Sequence, residues 1–332
     1  MTAPAVSVIM PVHNAAAYVN EAVRSVLAQT LGDLELIAVD DASNDGSGEI
    51  LRNVKDTRLR LLRSDEPLNA AGARNFALAE ARGEYITFLD ADDIAEPDRL
   101  QTQISLLRRL PELSIVASVV TTIDERGAMT GTNFVARPPE EIPPTLLFEN
   151  CLALSSVSAR RSALRPFRPE RAPAEDYDLW ARLGSSAGIA IQSRPLTRYR
   201  TNSTGVSTRQ PEKMREAVAT IHAEQLDRLG FREVAPIHSQ LAIWSIHSTE
   251  SQLAQAEAWL LALVAANDRR LVYPPAVFRR VAAARWFRIC LDSWLLGWSV
   301  WQTYHRSALS RPTLWQKALL LRRLLPQRLR RS

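Results

Sequence analysis

Three stretches of this 332-residue chain gather carboxylates where chemistry would use them. Asp40-Asp41-Ala42-Ser43-Asn44-Asp45-Gly46-Ser47 follows an apolar run and leads into a helical pattern. Locally, an Asx-type turn with Asp45 or Ser47 capping the next helix accounts for it. Asp90-Ala91-Asp92-Asp93 comes directly after Tyr-Ile-Thr-Phe-Leu. Three carboxylates within four residues repel one another unless a cation is close. A hard divalent ion with positions left open for phosphate oxygens suits them. In Glu175-Asp176-Tyr177-Asp178-Leu179-Trp180, residues Asp176, Leu179, Trp180 and Leu183 recur at i, i+3, i+4 and i+7. Asp176 therefore shares a helical stripe with core residues. An inward carboxylate at a helix start suits a general base; a first-turn acid favouring the helix dipole is the local alternative.

The elements that must hold these groups are legible as alternating patterns. Val6–Val12, Leu34–Val39, Leu59–Leu62 and Tyr85–Leu89 read as short buried strands, separated by helical patterns over Ala16–Gln29, Gly46–Val54 and Ala71–Ala81. Each strand ends in polar residues, and the rhythm predicts a mostly parallel α/β sheet covered by helices. Ligands in such sheets bind at the carboxyl ends of the strands. A helix starts near Glu96-Pro97-Asp98, a strand covers Ser114–Asp124, and the proline-rich Arg137–Pro144 reads as a loop. Glu175–Leu183 reads as a helix and Gly188–Ser193 as a strand. Beyond Ser207 almost everything suits helices, which places a domain boundary near residue 208: a catalytic region 1–208, then a helical region 209–332.

Composition narrows the classes. At 46% hydrophobic and 23% charged, the chain is neither disordered nor collagen-like. Cys151 and Cys290 are too few and too far apart for a disulfide framework or a cysteine zinc site. The five histidines show no metal-ligand spacing, although His13 lies in the first strand-end loop. No G-x-G-x-x-G follows the first strand and no G-x-x-x-x-G-K-[ST] is present, which disfavours a dinucleotide-binding unit and a P-loop. Net charge is +5, but it divides unevenly. Residues 269–332 hold fourteen Arg or Lys against one acid, whereas residues 1–268 carry a net −8.

Taken in order, these segments resemble the inverting family 2 glycosyltransferases of the GT-A fold, of the type that builds bacterial polysaccharides. VSVIMPVHNAAAYVNEAVRSVLAQT resembles the family's nucleotide-binding strand, loop and helix. LELIAVDDASNDGS resembles its Asp-Asp-x-Ser-x-Asp-Gly element, and LNAAGARNFALAEARGEYITFLDADD its Gly-x-Arg-Asn helix and D-x-D strand end. EDYDLWARL resembles the segment that carries the catalytic base. The resemblance implies that Pro11 and His13 border the nucleotide, Asp40 binds its base, and Arg74 lies nearby. It implies that Asp90 contacts the ribose or metal-bound water, and Asp92 a Mn²⁺ or Mg²⁺ ion on the diphosphate. Asp93 would lie near the transferred sugar, and Asp176, beside Glu175, would take the acceptor's proton. Where the family often has Tyr-Arg-x-His, this chain has Tyr199-Arg200-Thr201-Asn202, so Arg200 is a candidate and Asn202 stands at the usual histidine position. The implied reaction moves a sugar from a nucleotide-diphosphate donor, UDP-linked first among them, to a glycan or lipid-linked acceptor.

Five of the eight tryptophans fall within residues 286–315. Phe287, Leu291, Trp294, Trp298, Trp301 and His305 follow 3–4 spacing, which suits either a helix packed on its neighbours or one lying on an anionic membrane surface. An oligomer contact is a further use for this region. The N-terminus shows no signal-peptide pattern, and the 13-residue apolar run Ile289–Trp301 is shorter than the ~20 residues of a membrane-spanning helix. The expectation is a cytoplasmic protein, peripheral at most on the inner membrane. Two other readings stay open from sequence. One is a nucleotidyltransferase, although His13-Asn14-Ala15-Ala16-Ala17 lacks a glycine-rich basic loop. The other is a non-catalytic nucleic-acid or membrane binder acting through the basic region; the acidic strand ends argue against nucleic acid as a substrate.

Overall fold

A computed structural model describes residues 3–184, 186–201, 210–242, 249–310 and 313–324. The chain divides into two compact units. The first comprises residues up to Ile142 together with Asn150–Val218, and the second comprises Pro143–Glu149 and the residues from Ala219 onward.

The first unit is built on a nine-stranded mixed sheet. Its elements run β1 (Val6–Val12), α1 (Val19–Leu27), β2 (Leu34–Asp41), α2 (Ser47–Arg52), β3 (Leu59–Ser64), α3 (Asn69–Glu80), β4 (Tyr85–Phe88), β5 (Ile94–Ala95) and α4 (Arg99–Arg109). They continue with β6 (Leu113–Ile123), β7 (Met129–Asn133), β8 (Ser158–Arg160), α6 (Glu175–Leu183) and β9 (Gly188–Arg200), while α5 (Ile142–Thr145) starts at the last residue of this unit's first segment and belongs otherwise to the second. Strand order is β3-β2-β1-β4-β8-β6-β9-β5, with β7 paired to β6. The β1, β2, β3 and β4 ladders are parallel, as is β6 with β9. Strands β1, β2 and β4 are buried on both faces, so they read as largely apolar runs. Helix α1 closes one face with Val19, Ala22, Val23 and Val26, a stripe at i, i+3, i+4 and i+7.

Pro11 shows how β1 tolerates a residue without an N–H. β4 pairs with β1 only from Val6 to Ile9, and Ile9 is already bonded to that side through Leu89. Pro11, of the same parity, lies past the end of β4, where no ladder donor is required.

Two parts of the sequence reading need correction here. The Arg137–Pro144 stretch is not an open loop: Pro139–Glu141 forms a 3₁₀ turn that runs into α5. Strand β9 extends to Arg200, well beyond Ser193, and this carries Tyr199 and Arg200 into the sheet. Strands β5, β7 and β8 are additions. β5 and β8 are two and three residues long, and β7 is exposed along its whole length, so neither length nor alternation marks them.

The second unit is helical among the described residues. It holds the end of α7 (Pro211–Arg228), then α8 (Pro236–Ala242), α9 (Glu250–Arg270), α10 (Pro275–Asp292), α11 (Trp298–Arg306) and α12 (Leu314–Leu324). Thr249 and Gln252 form a reciprocal capping box at the start of α9. The core gathers Leu226, Leu253, Leu260, Leu263, Phe278 and Trp286. His222 and His238 meet edge-on there, with ring centroids 4.7 Å apart. Burial holds both neutral, with pKa values pulled down to about 3 and about 4. The 3–4 stripe of the sequence reading is not one helical face. α10 ends at Asp292, a 3₁₀ turn covers Trp294–Leu296, and Gly297 at φ 64° redirects the chain into α11. Among the described residues, no helix is long and apolar enough to cross a membrane.

Candidate functional site

The carboxyl ends of β1, β2 and β4 are adjacent in the sheet, so the polar clusters that follow them converge. The ends of β2 and β4 flank β1, roughly 10 Å apart at the usual strand spacing. The loops after β1 and β2 are laced together by side chains. Asn14 donates its backbone N–H to Ser43 Oγ (3.1 Å), and Asn14 Oδ1 accepts from the Asn44 N–H (2.9 Å). Ala15 N–H reaches Ser47 Oγ (2.9 Å), and Ala16 N–H reaches Asp45 Oδ2 (2.8 Å). His13 is exposed at the end of β1 with its Nδ1 2.6 Å from the Asp41 carbonyl. Asp41 in turn accepts from the Leu68 N–H (2.7 Å) at the entry to α3.

Asp40 is buried at the end of β2 and accepts from the Ser43 N–H (3.2 Å). Its other carboxylate oxygen lies flat against the first turn of α2 at Gly48, where a Cβ would collide with it. Gly48 is therefore required by the approach of the carboxylate, and Gly46, at φ 94°, by the turn. The Asx-type turn is present too: Asp45 Oδ1 accepts from the Ser47 N–H at 3.0 Å.

After β4 the chain turns sharply, with Asp93 N–H bonded to the Asp90 carbonyl (3.1 Å). β5 then pairs Ile94 with Arg198 of β9, which brings Tyr199 and Arg200 back over the turn. Arg200 clasps it. Its backbone N–H donates to Asp93 Oδ1 (2.7 Å), its Nε to the Asp92 carbonyl (2.8 Å), and its Nη2 to Glu21 (3.0 Å). Its guanidinium lies 4.4 Å from the Tyr18 ring centroid. Ser155 Oγ accepts the Asp90 N–H from below (3.0 Å). Arg99, fully buried, ties the Phe88 and Val157 carbonyls together. Burial pulls its pKa down to about 9, against the pull of Asp93.

The turn is electrostatically crowded. Burial and then the charge of Asp90 raise the Asp92 carboxyl to about 6. Burial, with Asp92 and Asp90, pushes Asp93 well above the ordinary carboxylate range. Tyr199 is raised by burial and by Asp93, Asp90, Asp176 and Asp92 together, so its phenol sits in the field of both acidic clusters. Among the described residues, no group of three or more His, Cys, Asp or Glu could hold a metal by itself. Asp90 and Asp92 offer only hard carboxylate oxygens in a surplus of negative charge. That donor set fits a divalent ion whose remaining ligands are phosphate oxygens and water.

Arg74 joins the second cluster to the third. Buried on α3, it donates Nη2 to Asp90 Oδ1 (2.7 Å) and Nη1 to Glu175 Oε1 (2.6 Å). Those two carboxylates hold its pKa above the ordinary arginine value despite burial. Its neighbour Asn75 pins the backbone of Phe167 in both directions (2.9 and 2.8 Å), and Phe167 stacks beside the guanidinium. On α6, Leu179, Trp180 and Leu183 are buried as the spacing predicts. Asp178 is buried on another side of the helix between Arg168 (3.3 Å) and Arg182 (2.8 Å). Asp176 stays partly buried, accepting from Asn150 Nδ2 (2.9 Å) and the Tyr177 N–H (2.6 Å). Burial, then the charge of Glu175, raises it to about 7; both hydrogen bonds and Arg74 act in the opposite direction.

Arg74, Asp90, Asp92, Asp93, Glu175, Asp176 and Arg200 are thus brought into one linked constellation. Pro11, His13 and Asp40 line the adjoining strand ends. Asn202 lies outside the described residues. Asn150, Ser155, Glu21 and Tyr18 escape sequence reasoning, because Asn150 reaches Asp176 from a loop 26 residues away and the other three act across more than sixty residues. The buried serines of Ser155-Ser156-Val157-Ser158 are the one available signal, a polar run inside an apolar stretch.

Residues 7–164 match the family described as Glycosyl transferase family 2. The UDP-Glc:alpha-D-GlcNAc-diphosphoundecaprenol beta-1,3-glucosyltransferase WfgD of Escherichia coli is 32% identical over 206 residues, covering 61% of this chain and 79% of that one. The chain belongs to glycosyltransferase family 2. Another relative, an uncharacterized glycosyltransferase of Haemophilus influenzae, is 43% identical but matched over only 44% of its length. Among solved structures, Staphylococcus aureus TarS 1-349 in complex with UDP superposes with a TM-score of 0.56 at 18% identity, over 91% of each chain. The mannosyltransferase PcManGT of Pyrobaculum calidifontis, in complex with GDP-Man and Mn²⁺, gives 0.53 at 20% identity, over 91% of this chain and 88% of that one. These two likenesses establish the fold, the GT-A arrangement expected from the sequence. The chain is a glycosyltransferase, which sets aside the nucleotidyltransferase and the non-catalytic binder.

Proposed function

We propose that this glycosyltransferase moves a sugar from a UDP-linked donor to a hydroxyl of a glycan or lipid-linked acceptor, with inversion and with Asp176 as general base. One observation carries the reading: a single buried guanidinium, Arg74, bonds both Asp90 of the strand-end turn and Glu175 next to Asp176. It ties the acidic turn to the helix start that carries the base candidate. The names of relatives support the substrate classes. WfgD is named for a UDP-glucose donor and a diphosphoundecaprenol-linked acceptor, and TarS carries UDP.

In this reading residues 1–208 do the catalytic work, and residues 209–332 form a helical region of other purpose. Asp40 takes the nucleotide base, with Pro11 and His13 along its edge. Asp90 meets the ribose side, and Asp93, clasped by Arg200, forms the floor beside the sugar. Asp92 would hold Mn²⁺ or Mg²⁺ with the diphosphate, and Asp90 would contact the ribose or metal-bound water. Such an ion, when bound, neutralises the charge that gathers on the departing diphosphate. The acceptor oxygen attacks the anomeric carbon, and its proton passes to the Asp176 carboxylate. The bond from that carbon to the diphosphate oxygen breaks with its electron pair leaving on the oxygen. One displacement from the opposite face inverts the centre. Asn150 and the Tyr177 N–H fix the carboxylate, and Glu175 keeps its affinity for a proton high while Arg74 limits the rise. A lipid-linked acceptor would place the chain at the cytoplasmic membrane face.

Donor binding tests the reading. UDP-sugars with Mn²⁺ are expected to raise the melting temperature of the wild type, by about 2.7 kcal/mol of stabilisation at a hundredfold excess over Kd. Asp92→Asn should lose the metal-dependent part of that shift. A full Mn²⁺-dependent shift in Asp92→Asn contradicts the assignment.

A further inference from the structure

The second unit exposes large apolar side chains in one short stretch. Among the described residues, Leu295 is 68% exposed, Trp298 62%, Leu314 87% and Trp315 67%. They belong to three consecutive elements, the 3₁₀ turn, α11 and α12. A chain of ring contacts connects the two tryptophans: Trp298 to Trp301 (6.0 Å between centroids), Trp301 to His305 (4.0 Å), His305 to Tyr304 (5.5 Å), Tyr304 to Phe287 (5.6 Å) and Phe287 to Trp315 (6.4 Å). Tyr304 is buried, Trp301 and Phe287 are half-buried, and His305 and the two end tryptophans stand in solvent. The 3₁₀ turn, α11 and α12 also pack on one another, so these exposed side chains stand on one rigidly backed helical cluster. The break at Gly297, which ends the single stripe expected from sequence, is what turns Trp298 outward while Trp286 and Val300 stay inside. Clustered exposed apolar side chains of this size mark an interaction surface.

Charge selects the partner. Arg306, Arg322 and Arg323 are exposed on the same elements, and residues 269–332 carry a net +13. We propose that the exposed apolar side chains Leu295, Trp298, Leu314 and Trp315 of this cluster dock the chain onto an anionic lipid bilayer. Tryptophan rings sit at headgroup level, leucines reach the acyl boundary, and arginines pair with lipid phosphates. A second copy would bring the same positive region against itself. A nucleic acid would satisfy the arginines but leave Leu295 and Leu314 without hydrocarbon to enter. The inference rests on the lipid-linked acceptor reading for its purpose, though not for its test.

The test is flotation of the full chain with vesicles free of glycolipid and nucleotide-sugar, made of phosphatidylcholine alone or with phosphatidylglycerol. Binding is expected only with phosphatidylglycerol, weakening as salt rises. Trp298→Ala/Trp315→Ala should reduce it at least roughly tenfold with an unchanged melting temperature, since both rings are exposed. Undiminished vesicle binding by the double variant overturns the proposal. So does equal binding to neutral vesicles, release from vesicles by competing duplex DNA at constant salt, or a dimer that the double variant dissociates. Retained vesicle binding in a chain that transfers no sugar would strike at the proposed function alone.

Discussion

Asp176→Asn is expected to lower acceptor-dependent sugar transfer by about a thousandfold, within the range general-base catalysis contributes, while leaving donor binding intact. The amide preserves shape and can keep one hydrogen bond with Asn150, but it cannot take a proton. Stability should not fall with activity. In the wild type, ionising Asp176 is opposed by burial and by Glu175, which is why its pKa lies near 7. A carboxyl whose folded-state pKa is raised contributes stability that is complete below about pH 4 and is lost as pH rises through about 7. Asp176→Asn removes that loss. Its melting temperature should match the wild type at pH 4–5 and equal or exceed it at pH 8. The same ionisation predicts that wild-type transfer climbs as pH passes through about 7, since only the carboxylate accepts the proton. Transfer by Asp176→Asn at near wild-type rate would remove this residue from the mechanism.

Arg74→Met should be the most destabilising single change in the first unit. It takes away the charge that compensates buried Glu175 and half-buried Asp90 together. Breaking a buried pair and leaving its partner uncompensated costs ~3–5 kcal/mol, a drop in melting temperature on the order of 10 °C for a unit of this size. Lysine would not repair it, because one ammonium does not offer the two-pronged geometry that reaches both carboxylates. Adding Glu175→Gln to Arg74→Met should recover part of the loss, since the neutral amide no longer carries an unpaired charge. If Arg74→Met melts with the wild type, the bridge is ornamental and the two acidic clusters are held together by something else.

Much of this arrangement was legible in the sequence for physical reasons. Val6–Val12 appears in the structure with the bounds expected, because a strand buried on both faces has no choice but an unbroken apolar run. Glu175–Leu183 does so because a short helix must place Leu179, Trp180 and Leu183 on one side. Elements without a buried face were silent. β7, Met129–Asn133, is exposed along its whole length, and β5, Ile94–Ala95, is too short to carry a pattern. The clusters could be found as clusters, yet their joining could not. Nothing in the spacing of Arg74 and Glu175, 101 residues apart, says that they touch. Arg200 is similar: its backbone contact with Asp93 exists because β9 runs on past Ser193, a matter of sheet register rather than of local pattern. The tryptophan stripe misled because periodicity assumes an unbroken helix, and Gly297 breaks it.

The most direct measurement is release of UDP from UDP-sugars by the purified chain with Mn²⁺, with and without a diphosphate-linked N-acetylglucosaminyl lipid. The expected result is acceptor-dependent UDP release with inverted configuration in the product, lost in both Asp92→Asn and Asp176→Asn. Transfer with retained configuration, or UDP release by Asp92→Asn at the wild-type rate, would contradict it.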